Sequence, residues 1–307
     1  MRRVQYEHSG GPEVLEVVSA EVPTPGLGEL LVRVEAIGVT LPVVRKVREP
    51  REPIPLGGEI AGEVVAVGEG VTSCMPGYRV TGLCFGHGYA EYALLNSAMA
   101  STIPDGASAV DAVALVRSGL VALGALDAAR PQPGESALIT AAASGVGHLA
   151  VQLARVRGAE RVVAAVSDLA KAEFLYELGV DEVVAYPQES WGEPADYALD
   201  AVGGELLGPA LAALAPGGRL VAYSSGGGTI QAYDLLVGAK SVIGFQMARV
   251  ARETPDIYEH WRQELWQYFA SGQLRPAVHA EFPLAEAAHA HTAIETRANL
   301  GKVVLIP

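Results

Sequence analysis

The stretch SALITAAASGVGHLAVQLARVR, Ser136 to Arg157, constrains the fold more than any other part of the chain. A short apolar β-run, Ser136 to Thr140, passes through small residues into a helical pattern from Gly147 to Arg157. Small side chains let a backbone approach a diphosphate, and a helix start offers free N–H groups and the positive end of a dipole. Two frames fit the spacing. Gly145-x-Gly147-x-x-Ala150 matches the G-x-G-x-x-G/A pattern literally, whereas Ala142-x-Ser144-x-x-Gly147 starts nearer the strand end and is preferred. Alone, the segment also reads as a tight turn without a ligand.

Its surroundings favour the phosphate-binding reading. From Asp111 onward, helical and strand patterns alternate. Helices are expected over 110–129, 147–157, 169–178 and 206–214, and strands over 136–140, 161–166, 182–185, 197–201 and 219–223. Apolar β-runs alternating with helices indicate βαβ units, and strands without clean alternation suit a parallel sheet covered on both faces. The expected fold is α/β and doubly wound in this part. Before it, Leu30–Ile37, Gly62–Val67 and Gly88–Ala93 read as strands punctuated by Pro25-Gly26, Gly57-Gly58 and Pro76-Gly77, which fits small antiparallel, barrel-like packing. A late helix carries Ile257, Trp261, Leu265 and Phe269 at i, i+4 spacing, one buried stripe with Gly272 as its C-terminal cap. The last run, Gly301–Pro307, is expected to rejoin the first domain as a strand, so the nucleotide domain interrupts a discontinuous partner.

At 307 residues, half of them hydrophobic, the chain is long enough for two cores. Its formal net charge of −13 repels nucleic acid and anionic membranes. Cys74 and Cys84 make neither a disulfide framework nor a four-thiolate metal site. The N-terminus lacks the apolar stretch of a signal peptide, and Ser136 to Ala154, the most membrane-like run, holds two glycines and a histidine at its centre. A cytoplasmic location is expected.

Cofactor choice turns on the end of the second strand of the alternating region. Val166 stands where an acid would bind a ribose 2′-hydroxyl, and Ser167 and Lys171 are placed to hold a 2′-phosphate. Asp168 works against this if its carboxylate faces that phosphate; in the other reading Asp168 caps the helix and Lys171 is solvated. NADPH is favoured over NADH.

In order, Gly57–Gly68, Gly88–Tyr92, Ser118–Ala122, AAASGVGHLAVQLAR, LGVDEVVAY, LDAVGG, LAPGGRLV and FPLAEAAHAH…NLGKVVL resemble the zinc-independent quinone oxidoreductases, zeta-crystallin among them, and the related enoyl reductases of the medium-chain dehydrogenase/reductase superfamily. The resemblance covers nearly the whole chain. It implies a Rossmann domain, 113–246, inserted into a mainly β, GroES-like catalytic domain, 1–112 with 247–307, a homodimer, and hydride transfer in the cleft between the domains. It places Ser144, Gly145, Val146 and Gly147 at the pyrophosphate and Ser167, Lys171 and Tyr186 at the 2′-phosphate. Val202, Ser224, Phe245 and Asn299 fall along the ribose and nicotinamide, with Val121 and Thr40 also at the cofactor.

No zinc is expected. Gly57-Gly58-Glu59 lacks the histidine of a Gly-His-Glu segment, no cysteine precedes Cys74, and His87 and His148 read as loop or helix-surface residues. Relatives usually carry Gly-Val-Asn, an Asp three residues later and a tyrosine-containing loop. This chain has Gly38-Val39-Thr40, Val43 in place of the acid, no tyrosine from Arg45 to Pro55, and Tyr78 where an aspartate is common. Thr40 remains the candidate catalytic residue, able to bond the cofactor or a carbonyl oxygen. Three functions are weighed: NADPH-dependent reduction of a small conjugated carbonyl (quinone or enone), a tailoring enoyl reduction on a large or carrier-bound intermediate, and a non-catalytic, crystallin-like NADPH-binding role.

Overall fold

A computed structural model describes residues 1–223 and 226–307. The chain divides into two compact units, Met1–Arg117 with Pro276–Pro307, and Ser118–Arg275.

The first unit opens with β1 (Arg2–Gln5) paired to β2 (Glu16–Ser19). Then come β3 (Glu29–Val39), α1 (Leu41–Arg48), β4 (Gly58–Val67), β5 (Arg79–Cys84), β6 (Tyr92–Asn96) and β7 (Ser101–Thr102). β3 is central because its 11 residues serve several partners. Its first half pairs with β6, its last residues pair with the C-terminal strand, and β4 runs antiparallel beside it. Leu30, Val32, Ile37, Ile60, Val64 and Leu95 from these strands fill one apolar core. Two expectations need correction. Gly88–Glu91 is not a regular strand; it meets the N-terminal strand through a bridge from Ala90 to Arg3, with the Val4 amide donating to the Tyr89 carbonyl at 2.8 Å and the Glu91 amide to the Arg2 carbonyl at 3.1 Å. The segment after Thr40 starts as a helix, with Pro42 in its first turn and Val43, Val44 and Val47 buried.

α2 (Ala109–Ala129) follows, 21 residues that contain an 18-residue window with a mean hydropathy of 1.7. It is long and apolar enough to cross a membrane, but 78% of that window is buried inside the protein, as in a core helix. This helix, rather than Ser136–Ala154, is the most membrane-like element.

The second unit is built on β8 (Ser136–Thr140), α3 (Gly147–Val156), β9 (Arg161–Val166), α4 (Ala172–Glu177), β10 (Glu182–Ala185), β11 (Ala195–Asp200), α5 (Leu207–Ala212), β12 (Leu214–Ala222), α6 (Ala232–Gly238) and β13 (Ser241–Gly244). The six strands are parallel in the order β10-β9-β8-β11-β12-β13, the doubly wound arrangement. β9 and β11 are buried along nearly their whole length, which explains their unbroken apolar runs.

α7 (Met247–Glu253) and α8 (Pro255–Ala270) belong to this second unit, so residues 247–275, expected in the β-rich domain, lie with the parallel sheet. Packing gives the reason. Tyr258, Trp261 and Leu265 are buried on α8, each contributing roughly 1.5–3 kcal/mol of hydrophobic stabilisation. Trp261 Nε1 donates to Asp127 at 2.8 Å, and Arg157 pairs with Glu264 at 3.1 Å. Ile257, expected in the stripe, is 46% exposed, and its neighbour Tyr258 takes the place. Gly272, with φ +73°, ends the helix as expected. The chain then returns to the first unit through β14 (Val278–Pro283), α9 (Ala287–Glu295) and β15 (Lys302–Ile306), which pairs antiparallel with β3.

Candidate functional site

In the second unit the chain reverses winding between β8 and β11, and the carboxyl ends of those strands are where a doubly wound sheet receives its ligand. The turn Ala141–Val146 leaves β8 at that point. Ala141 holds a left-handed conformation, φ +48°, and its amide donates to the Tyr186 hydroxyl at 2.9 Å. Ser144 closes the turn: its Oγ accepts from the Gly147 amide at 3.0 Å and its carbonyl from the His148 amide at 3.0 Å. The amides of Gly145 and Val146 meet no acceptor among the described residues, leaving two donors at the start of a ten-residue helix. A Cβ on Gly147 would lie 2.2 Å from the Ala141 carbonyl oxygen. Gly147 is therefore the position of close helix–strand approach, the role of the third residue in Ala142-x-Ser144-x-x-Gly147.

A buried carboxylate braces the neighbouring strand end. Asp200, fully buried, accepts from Thr140 Oγ1 at 2.7 Å, from the Val202 amide at 3.2 Å and from the Gly203 amide at 2.8 Å. Thr140 Oγ1 in turn accepts from the Ala201 amide at 2.9 Å. This ties β8 to the turn that presents Val202. Sequence reasoning missed the role of Asp200, although its acid at the end of an apolar strand was visible in LDAVGG.

The remaining expected residues fall at several places. Ser167 is exposed just beyond β9, and Lys171 is half-buried four residues on. Asp168 accepts from the Ala170 amide at 2.9 Å, so its carboxylate caps the turn that leads into α4. Tyr186 follows β10, and its hydroxyl accepts from the Ala141 amide in the turn after β8. Phe245 is half-buried beside Trp261, ring centroids 6.3 Å apart, and Val121 is half-buried on α2. Asn299 is buried in the first unit, where its Nδ2 donates to the Gly301 carbonyl at 2.9 Å. Ser224 lies outside the described residues. His148, expected on a helix surface, is fully buried, its Nδ1 2.9 Å from the Ser144 carbonyl oxygen.

Within the first unit, Thr40 precedes α1 and lines a cavity of about 160 Å³ with Val43, Lys46, Ile54, Leu56, Glu59 and Arg117 among its walls. The Thr40 hydroxyl has no partner among the described residues. Tyr6 supports the wall from outside the segment, its hydroxyl accepting from the Ile54 amide at 3.1 Å. Cys84 also lines the cavity; burial pushes its thiol up to about 11, and it donates to the Gly86 carbonyl at 2.9 Å, so it is a neutral wall residue.

Glu59 is wholly buried and holds two cations: one oxygen takes the Lys302 ammonium and the other takes Arg117 Nη1 at 3.1 Å. Burial pulls the Lys302 ammonium below its ordinary range, and Glu59 opposes that shift. Glu59 on β4 stands opposite Gly38 on β3, and β15 lies on the far side of β3. A Cβ on Gly38 would come 2.7 Å from Lys302 Cε and 2.8 Å from Glu59 Oε2, so glycine leaves room for the ion pair to close over the central strand. Sequence reasoning gave Glu59 no partner, because Lys302 is 243 residues away. Among the described residues no cluster of three or more His, Cys, Asp and Glu forms a candidate metal site.

Comparison with known proteins gives this architecture its context. The alcohol dehydrogenase GroES-like domain family matches residues 26–105, and a family described as zinc-binding dehydrogenase matches residues 178–305. A quinone oxidoreductase of Pseudomonas aeruginosa is 32% identical, the match spanning 100% of this chain and 99% of that protein. The solved structure of an Escherichia coli quinone oxidoreductase complexed with NADPH superposes with a TM-score of 0.91 at 28% identity, covering 100% of both chains. The enoyl reductase CurK superposes at 0.88 with 27% identity, covering 99% of this chain and 98% of its own. The fold, the full-length match and the two domain families agree: this chain belongs to the quinone oxidoreductase branch of the medium-chain dehydrogenase/reductase superfamily.

Proposed function

We propose that this NADPH-dependent oxidoreductase reduces a conjugated carbonyl compound, a quinone or an enone, without a catalytic metal. The observation that carries the reading is the turn Ala141–Gly147 at the switch point of the sheet, with the Gly145 and Val146 amides open. Two unpartnered donors at a helix start and a glycine that lets the backbone close in are features that fit a dinucleotide diphosphate. Ser144, Gly145, Val146 and Gly147 would hold it, and Ser167 and Lys171 would hold the 2′-phosphate. Asp168 accepts from the Ala170 amide, as the cap reading expects, so the 2′-phosphate assignment rests on Ser167 and Lys171 standing where Val166 replaces an acid.

The bound dinucleotide supplies a hydride from its reduced nicotinamide. The chain's own part is to receive the carbonyl compound. Thr40 offers a hydroxyl donor to a carbonyl oxygen on which negative charge develops. Val43, Ile54 and Leu56 give the cavity an apolar wall that strengthens this bond by lowering the local dielectric. Since Cys84 stays protonated and the loop has no tyrosine, water delivers the final proton.

The test is NADPH consumption by the purified protein with a panel of quinones and enones. Turnover is expected. Bound NADPH with no turnover of any member would discard the substrate class and leave the non-catalytic, NADPH-binding role. The likeness to the enoyl reductase CurK favours a second reading, reduction of an enoyl group, which we propose for a large or carrier-bound intermediate. Carrier-linked substrates reacting no better than their free analogues would remove it. We also propose a homodimer formed through β13, the edge strand of the parallel sheet.

A further inference from the structure

The cavity at Thr40 carries more positive charge than the reduction of a neutral quinone requires. Three cations, Lys46, Arg117 and Lys302, stand against one carboxylate, Glu59. Lys302 is buried behind the wall, but Lys46 and Arg117 both line it. Lys46 has no ion-pair partner among the described residues, and Arg117 Nε is a buried donor without an acceptor. The acids that follow α1 in sequence or pair with it do not balance them. Glu49 pairs with Arg51 at 3.2 Å, Glu295 pairs with Arg48, and neither lines the cavity. Glu52 does not line it either. This local excess of positive charge stands in a chain whose net charge is −13.

Such an arrangement recognises an anion beside an apolar body. We propose that the preferred substrate is a short enone carrying a carboxylate, bound through Lys46 and Arg117 with its carbon skeleton against Val43, Ile54 and Leu56. The inference rests on the carbonyl-reductase reading above and narrows it to an acidic substrate. The cavity volume of about 160 Å³ matches a body of that size, since an apolar cavity of about 150 Å³ accommodates benzene. The carboxylate faces the partly desolvated guanidinium and gains a charge-assisted hydrogen bond.

The test compares acetylacrylic acid with its methyl ester as substrates for NADPH oxidation. The ester is the more electrophilic of the two, so intrinsic reactivity alone favours it. The pocket is expected to reverse this and give the acid a kcat/KM about tenfold higher. Added salt should shrink that advantage, because Lys46 is exposed. Lys46→Gln should cut it about threefold and Lys46→Glu should abolish it. These variants lie on the solvent side of α1, whereas Arg117→Gln would leave buried Glu59 short of a partner and risk the fold. An ester turned over as well as the acid, or better, overturns the inference and leaves the carbonyl-reductase reading standing. Turnover of neither compound nor of any quinone, with NADPH bound, overturns both.

Discussion

Gly147 has no room for a methyl group, because any Cβ would press into the Ala141 carbonyl. Gly147→Ala is expected to destabilise the second unit by about 1–3 kcal/mol and to weaken NADPH binding, measured by thermal melting and by titration of the same sample. At this scale the sequence was informative where chemistry is local. The strand, the small-residue turn and the helix start are adjacent, and the structure resolves only which frame supplies the glycine of close approach. It was uninformative where partners are distant. Tyr186 reaching the Ala141 amide, Asp200 bracing Thr140, and His148 turning inward all depend on how strands stack side by side. His291 is another example. Burial pulls its pKa down to about 4, Glu295 opposes weakly, and its Nε2 lies 3.2 Å from the Tyr89 hydroxyl. The native residue is neutral, while an unfolded one titrates near 6.5. Between those values the unfolded chain binds more protons. The stabilisation is therefore complete above about pH 6.5 and is lost as pH falls toward 4, by at most about 3 kcal/mol. Thermal melts across that window should show the decline, and His291→Gln should flatten it; an unchanged slope in the variant would refute the assignment.

Elements were legible in proportion to how far their own pattern decides their burial. β8, β9 and β10 begin and end where the apolar runs do, since both faces of a parallel sheet are covered. α1 was hidden because its three buried valines share a short segment with Arg45, Lys46 and Arg48, and the charges obscure the apolar face. On α8 the spacing was right but the register was off by one at its start, where Tyr258 rather than Ile257 turns inward. The ion pair spanning β4 and β15 is an element-level feature with a measurable cost. Glu59→Gln leaves a buried ammonium without its carboxylate and should destabilise the first unit by about 3–5 kcal/mol, read by chemical denaturation. Adding Lys302→Met should recover much of that loss; a double variant as unstable as the single one would show that the pair is not what Glu59 maintains.

Across the whole molecule, the discontinuous plan was legible because β15 repeats the strand character of the opening segment and pairs with β3. The second boundary was not, since α7 and α8 carry no signal of which sheet they cover; Asp127 and Glu264 decide it through Trp261 and Arg157. The proposed homodimer predicts twice the chain mass in analytical ultracentrifugation, and Ile243→Lys on the edge strand β13 should shift the protein to monomer. The central claim is that the turn from Ala141 to Gly147 binds the diphosphate of NADPH. Calorimetric titration of the purified protein with NADPH and then NADH tests it most directly. Saturable binding of NADPH, tighter than that of NADH, is expected, whereas no saturable binding of either nucleotide at two temperatures would contradict the claim.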